Sequence, residues 1–266
     1  MTSWQIGGFR SGIAAVTLFL AFPRARHAFS WRTGLIGVAY AATLVLFVIA
    51  NKLTTSANAI FLQSTAPLYL LLLGPLVLHE PIRRLQVVAV LAVACGAMLL
   101  LFGSEQIVRT APDPTRGNIV AAVSGATWAF TITGLRWLGR RAPQTETTLA
   151  AVILGNLLAF IVCLPLALPV AQASARDIAV LLYLGVFQVG LAYVALTRSI
   201  RHVPGLEASV LLLIEPVFNP IWSWLIHGER PSNLALLGGV VILLTASLTS
   251  WWQARSPTIR EKNVAA

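Results

Sequence analysis

At 266 residues the chain is 57% hydrophobic and 11% charged, with a formal net charge of +10 and a mean hydropathy of +0.80. A soluble domain carries charge on roughly a quarter of its positions and buries its core without such an apolar surplus, so the composition excludes an ordinary soluble enzyme and points to the bilayer as solvent. The basic residues lie between apolar runs rather than on one soluble face, which argues against a nucleic-acid binder.

Apolar runs recur near 4–22, 33–50, 56–78, 84–103, 117–137, 147–170, 177–197, 205–227 and 232–252. Each is close to the roughly 20 residues that a helix needs to cross the hydrocarbon layer. Helices satisfy every backbone polar group inside lipid, so the expected fold is all-α, a polytopic membrane protein with about nine spans. The first run has no basic region before it and no convincing cleavage site, and reads as a helix that stays.

Lys and Arg set the expected orientation. Arg24, Arg26, Arg32, Arg83, Arg84, Arg136, Arg140, Arg141, Arg198, Arg201, Arg255, Arg260 and Lys262 follow odd-numbered spans or lie in the tail, while Lys52, Arg109, Arg116, Arg176 and Arg230 follow even-numbered ones. Arg10 lies early in the first span. The C-terminus is expected in the cytoplasm of a bacterial cell, with the spans in its cytoplasmic membrane.

The third and eighth spans match at a fixed offset of 149, which places Pro67 on Pro216, Glu80 on Glu229, Ala59 on Ala208 and Asn58 on Glu207. Two copies alone are a modest signal. They stand five spans apart, an odd number, so they cross the membrane in opposite directions, as in inverted-repeat transporters. The same offset puts the sixth span on the first and the fifth before Met1. The expected organisation is a first repeat of four helices over 1–103, a second of five over 117–254 and a cytoplasmic tail over 255–266, with the opening helix of a ten-helix protein absent.

Leu213 to Pro220 (LIEPVFNP) followed by Gly228 and Glu229 resembles the second-half signature of EamA-type transporters of the drug/metabolite transporter superfamily. Thr65 to Leu68 (TAPL) with Leu78 to Glu80 (LHE) is similar to the first-half signature. Gly96, Gly238, Trp128 within ATWAF before Arg140 and Arg141, and Gly8-Phe9-Arg10 extend the likeness over essentially the whole chain. The resemblance implies two inverted five-helix repeats acting as a permease or exporter of small metabolites such as amino acids.

Glu215 lies near mid-membrane, where an ionised carboxylate costs several kcal/mol unless paired, hydrated or protonated. That placement suits a proton-coupling group, and equally a structural carboxylate bonded to neighbouring helices. Pro216 and Pro220 free backbone carbonyls, which is tolerated beside a polar cavity. Glu207, Leu211, Glu215, Asn219 and Trp222 fall within about 120° on one helix face, and Asn58, Thr65 and Tyr69 form a matching stripe. Glu207 and Asn58 are also read as helix-end residues touching interfacial water. Trp128, with Ser124, Thr127 and Thr131, forms a third stripe, in which helix packing is favoured for the threonines. Gln63 and Gln188 could bind solute or bridge helices.

Glu80 and Glu229 end their helices and, with Pro67 and Pro216, read as structural helix-junction residues. Cys95 and Cys163 are far apart with no CxxC spacing, and the four histidines show no ligand spacing, so neither metal nor cofactor is expected. Walker, GxGxxG and GxSxG motifs are missing from the sequence. The leading expectation is a secondary transporter working by alternating access, its partners a small solute, lipid, a coupling proton and a second copy of the chain. A passive facilitator and a truncated membrane protein without transport remain alternatives.

Overall fold

Side-chain caps begin several of the long helices. Thr2 with Gln5, Ser30 with Thr33 and Ser174 with Asp177 each form a reciprocal capping box, which satisfies backbone donors where the chain enters the apolar layer. The computed structural model describes residues 1–54, 56–103, 112–141, 145–170, 173–212, 214, 218 and 233–255. In chain order these hold α1 (Ser3–Ala21), α2 (Trp31–Leu53), α3 (Ser56–Gln63), α4 (Ala66–Leu73), α5 (Arg84–Gly103), α6 (Pro114–Arg141), α7 (Thr145–Ala167), α8 (Ala175–Tyr183), α9 (Ala192–Ser199), α10 (Gly205–Leu212) and α11 (Asn233–Arg255). Strands are missing among the described residues. The protein is an all-α, multi-pass membrane protein.

Among the described residues four helical stretches, Trp31–Leu53, Pro114–Arg141, Thr145–Ala167 and Ala175–Ser199, are long and apolar enough by themselves to cross a bilayer. Their outer faces are bare of polar cover. On Trp31–Leu53, Leu35 is 65% and Val38 56% exposed, about one helical turn apart on the same face, as a lipid-facing surface requires.

The long helices alternate in direction. At one end Lys52 lies over the Trp4 ring, the Asp113 amide donates to Leu53 O at 3.1 Å, and Gln5 donates to Ala167 O at 3.0 Å. At the opposite end Arg32 and Arg141 both lie over the Trp137 ring, and Arg136 reaches both Glu80 and the 200–201 backbone. The offset of 149 carries Ser56, first of α3, onto Gly205, first of α10, and Arg84, first of α5, onto Asn233, first of α11. Matched helices pack on each other: α1 lies against α7, and α5 against α11. This is the pairing expected of two halves inverted about an axis in the membrane plane.

Small residues let these backbones approach. A Cβ on Gly96 would stand 2.9 Å from Gly238 O, and one on Gly155 would stand 2.8 Å from Gly37 O. Those crossings clamp α5 to α11 and α2 to α7, around a core containing Leu18, Tyr40, Leu70, Ile132, Leu135 and Leu149.

Two interruptions bear on function. The third expected span, 56–78, is broken at Ser64–Thr65 between α3 and α4. Pro67 has no N–H for the carbonyl of Gln63, four residues earlier, and the Thr65 amide turns to Leu62 O instead. The seventh span is continuous from Ala175 to Ser199, but its centre, Leu184–Leu191, is wound as a π-helix between α8 and α9. Such turns recur at functional positions.

Candidate functional site

A cavity of about 300 Å³ opens where these interruptions meet, with Thr43, Trp128 and Gln188 near the middle of their helical stretches. Among the described residues it is lined by Arg10 of α1, Thr43, Leu44 and Phe47 of α2, Ile60, Gln63 and Ser64 at the end of α3, Ala66 and Pro67 of α4, Trp128 of α6, Gln188 and Val189 of the π-helical turns, Tyr193 of α9 and Leu212 of α10. The broken helix supplies one wall with four consecutive or near-consecutive positions, Gln63, Ser64, Ala66 and Pro67. Irregular backbone at this depth is stable only where protein or water covers it.

Hydrogen bonds fix the wall made by α2, α3 and α6. Gln63 Nε2 donates to Ser124 Oγ at 2.8 Å, and Ser124 Oγ donates to the Thr43 carbonyl at 3.1 Å. Thr43 Oγ1 stands 3.1 Å from Thr127 Oγ1, and Thr131 donates to the Thr127 carbonyl at 2.9 Å. Gly125 makes the approach possible: a Cβ there would lie 3.0 Å from Gln63 O. The threonines therefore hold helices together, while Trp128, on the same face of α6, reaches the cavity. Its ring meets Tyr193 edge-on at 6.3 Å, and Tyr193 in turn packs on Tyr40 at 4.7 Å.

Arg10 is the cavity's charged group. Its NH1 donates to Gln188 Oε1 at 3.4 Å, and its Nε is buried without a hydrogen-bond partner. The ion pairs formed among the described residues involve Arg116, Arg136 and Arg140; Arg10 enters none of them. Gly185 brings the π-helical turns this close, because a Cβ there would meet Arg10 O at 2.9 Å.

The remaining expected site residues fall elsewhere. The Thr65 hydroxyl donates across the break to Leu62 O of α3 at 2.6 Å, and the Tyr69 hydroxyl donates to Ala122 O at 3.3 Å. Glu207, at the start of α10, lies 3.5 Å from Gln86 Nε2 near the Arg-rich end of the molecule and not on the cavity wall. Asn58 belongs to α3, with its side chain outside the description, and Glu215, Pro216, Asn219, Trp222 and Glu229 lie outside the described residues. Glu80 sits at the junction after α4, where His79 turns left-handed at φ 55°. Pro67 both breaks its helix and lines the cavity. Four polar residues of the cavity wall were not singled out as site residues from the sequence: Arg10, Thr43, Ser64 and Tyr193. The one signal for Arg10 was a lone cation within an otherwise apolar span.

A bundle of membrane-crossing helices around a cavity that mixes apolar walls with a few polar groups, beside a broken helix, is the architecture of a polytopic membrane protein of the transporter class. The chain belongs to the EamA-like transporter family, which matches it over residues 1–102 and 115–251. The pseudopaline exporter of Pseudomonas aeruginosa is 30% identical over 247 residues, covering 90% of this chain and 83% of the exporter. An uncharacterised transporter of Archaeoglobus fulgidus is 26% identical over 211 residues, 76% of this chain and 69% of that protein. A known crystal structure shares the fold with a TM-score of 0.79 at 18% identity, over 96% of this chain and 90% of the other. The protein is accordingly a transporter of the drug/metabolite type and not an enzyme.

Proposed function

We propose that the chain is a secondary transporter that moves a small metabolite such as an amino acid by alternating access, in the cytoplasmic membrane of a bacterium. The cavity carries this reading. Its volume of about 300 Å³ is at the small-metabolite end of ligand sites, it lies near the middle of its helical stretches, and the broken α3–α4 helix and the π-helical turns both face it. In this reading two inverted halves, 1–103 and 117–254, rock about the cavity, and the tail from 255 onward is cytoplasmic. The Arg-rich end, with Arg83, Arg136, Arg140, Arg141 and Arg201, supports that orientation.

Export is supported by the relative named for pseudopaline export. Proton coupling is assigned to Glu215, whose mid-span place in the eighth apolar run suits a carboxyl group that changes charge during the cycle.

The deciding experiment is counterflow in proteoliposomes preloaded with unlabelled amino acids and related metabolites. A carrier exchanges internal for external labelled solute and overshoots equilibrium. A passive facilitator equilibrates without an overshoot, and that result would replace the carrier reading.

A further inference from the structure

Arg10 stands where a fixed positive charge is expensive. Arg remains protonated in any protein environment, so burial cannot be relieved by losing the proton, as it can for Lys. The guanidinium has five N–H donors in a planar fork, yet the structure gives it one long bond, 3.4 Å to Gln188 Oε1, while Nε is buried with no acceptor. It lines the cavity and enters no ion pair among the described residues. Arginines elsewhere in the molecule are treated differently: Arg136, more deeply buried at 4% exposed, is held by Glu80 and by two backbone carbonyls, whereas Arg10 is half-buried.

We propose that Arg10 is the anion-binding residue of the cavity and that the transported solute carries a carboxylate, which docks on Arg10 beside Gln188. The proposal rests on the transporter reading above and adds the residues that recognise the carboxylate. Three features favour a carboxylate. The guanidinium fork matches two carboxylate oxygens at once. Because Gln188 accepts from Arg10 through Oε1, its amide N–H₂ is the group left to donate, which gives the same oxygens a second donor. A single positive charge neutralises a single negative one, whereas a phosphate dianion would enter the low-dielectric layer with charge left over. The cavity is also lined by Trp128, Tyr193, Phe47 and Leu44, which suits the apolar body of a solute.

Carboxylate binding also fits a transport cycle. For a solute whose only charge is its carboxylate, such as a 2-oxo acid, the loaded cavity is neutral and the empty one is not, so moving the occupied site across the membrane is the easier step. That asymmetry favours obligatory exchange over leak.

The test uses the full chain purified in micelles and reconstituted in proteoliposomes, with amino acids and 2-oxo acids each paired with its primary amide and with a phosphate monoester of similar size. Wild type is expected to bind and exchange the acids at least tenfold better than the amides or phosphate esters. Arg10→Gln should bring acid and amide to equal affinity, and Arg10→Lys should keep part of the preference. Equal treatment of acid and amide by wild type, or an acid preference that survives in Arg10→Gln, overturns the proposal, and preference for the phosphate ester replaces carboxylate by phosphate. Equilibrium binding is read in parallel from the quenching of tryptophan fluorescence, so binding of acids without counterflow would reject the carrier reading while keeping Arg10. If Arg10→Gln does not remain monodisperse, Gln188→Leu serves: it removes the second donor, and acid affinity should fall at least threefold with amide affinity unchanged.

Discussion

Arg136 Nε lies 2.6 Å from Glu80 Oε1, and its NH1 donates to the carbonyls of Ile200 at 2.9 Å and Arg201 at 2.7 Å. The guanidinium is 4% exposed. One side chain of α6 thus ties the end of the α4 segment to the turn between α9 and α10, and Arg140 adds a bond to Leu78 O at 2.9 Å. Three connections converge at the Arg-rich end and are closed there by a buried pair.

Removing one partner of a buried pair costs up to about 3–5 kcal/mol, an upper bound here because Glu80 is 19% exposed and keeps Arg140 at 3.7 Å. Arg136→Met is therefore expected to lower the unfolding midpoint in micelles strongly, and Glu80→Gln to lower it less, because Arg136 keeps its two carbonyls. In proteoliposomes both should raise the labelling of a cysteine placed at position 200 from the Arg-rich side. Wild-type stability and labelling in Arg136→Met would show that this contact closes nothing.

The polar seam between α2 and α6 should matter far less. Inside membranes, side-chain hydrogen bonds between helices average about 0.6 kcal/mol, because the alternative state also finds partners. Thr43→Val, which keeps the shape and removes the contact with Thr127, is expected to cost about 1 kcal/mol or less and to leave counterflow within about twofold of wild type. A larger loss of transport at unchanged stability would place Thr43 among the solute contacts.

Gly185 tests how the charged corner is assembled. A Cβ there would crowd Ile13 and stand 2.9 Å from Arg10 O, so a side chain must push the π-helical turns away from α1. Overpacking of this kind costs about 1–3 kcal/mol. Gly185→Val is expected to fold less stably and to lose solute binding at least tenfold, while Gly190→Ala, where a Cβ would lie 3.2 Å from Gly185 O, should be milder. Unchanged binding in Gly185→Val would separate Gln188 from the site.

Much of the architecture was legible because the bilayer constrains sequence so tightly. Most of the apolar runs correspond to helices among the described residues, but the third was read as one continuous span, and its break before Pro67 was not expected, although a proline orphans the carbonyl four residues before it. The 149-residue offset aligned helix starts as well as residues. The site was legible only in part. Periodicity tells which residues share a face of one helix, but not which neighbour that face meets. Trp128 and its threonines share a face, yet Trp128 reaches the cavity while the threonines stitch helices together. Glu207 stands at a helix start, and packing of α10 against α4, α5 and α6 carries it toward Gln86. Arg10 and Gln188 are 178 residues apart, and no local pattern links them.

Glu215 provides the last prediction, drawn from its position in the sequence because it lies outside the described residues. If this carboxyl takes up and releases the coupling proton, transport by wild type must respond to a pH gradient across the membrane. Glu215→Gln fixes the neutral form. Its net uptake should no longer follow the gradient, whereas exchange of solute for solute, which leaves the proton count unchanged, should persist at a rate within about tenfold of wild type, equivalent to about 1.4 kcal/mol in the barrier. Both readings come from one preparation, with the internal buffer set at a fixed pH and the external pH varied. Uptake by Glu215→Gln that still tracks the gradient would remove Glu215 from coupling and leave the carrier intact. Loss of exchange as well as gradient response would instead make Glu215 part of the solute site, beside the charge that Arg10 contributes.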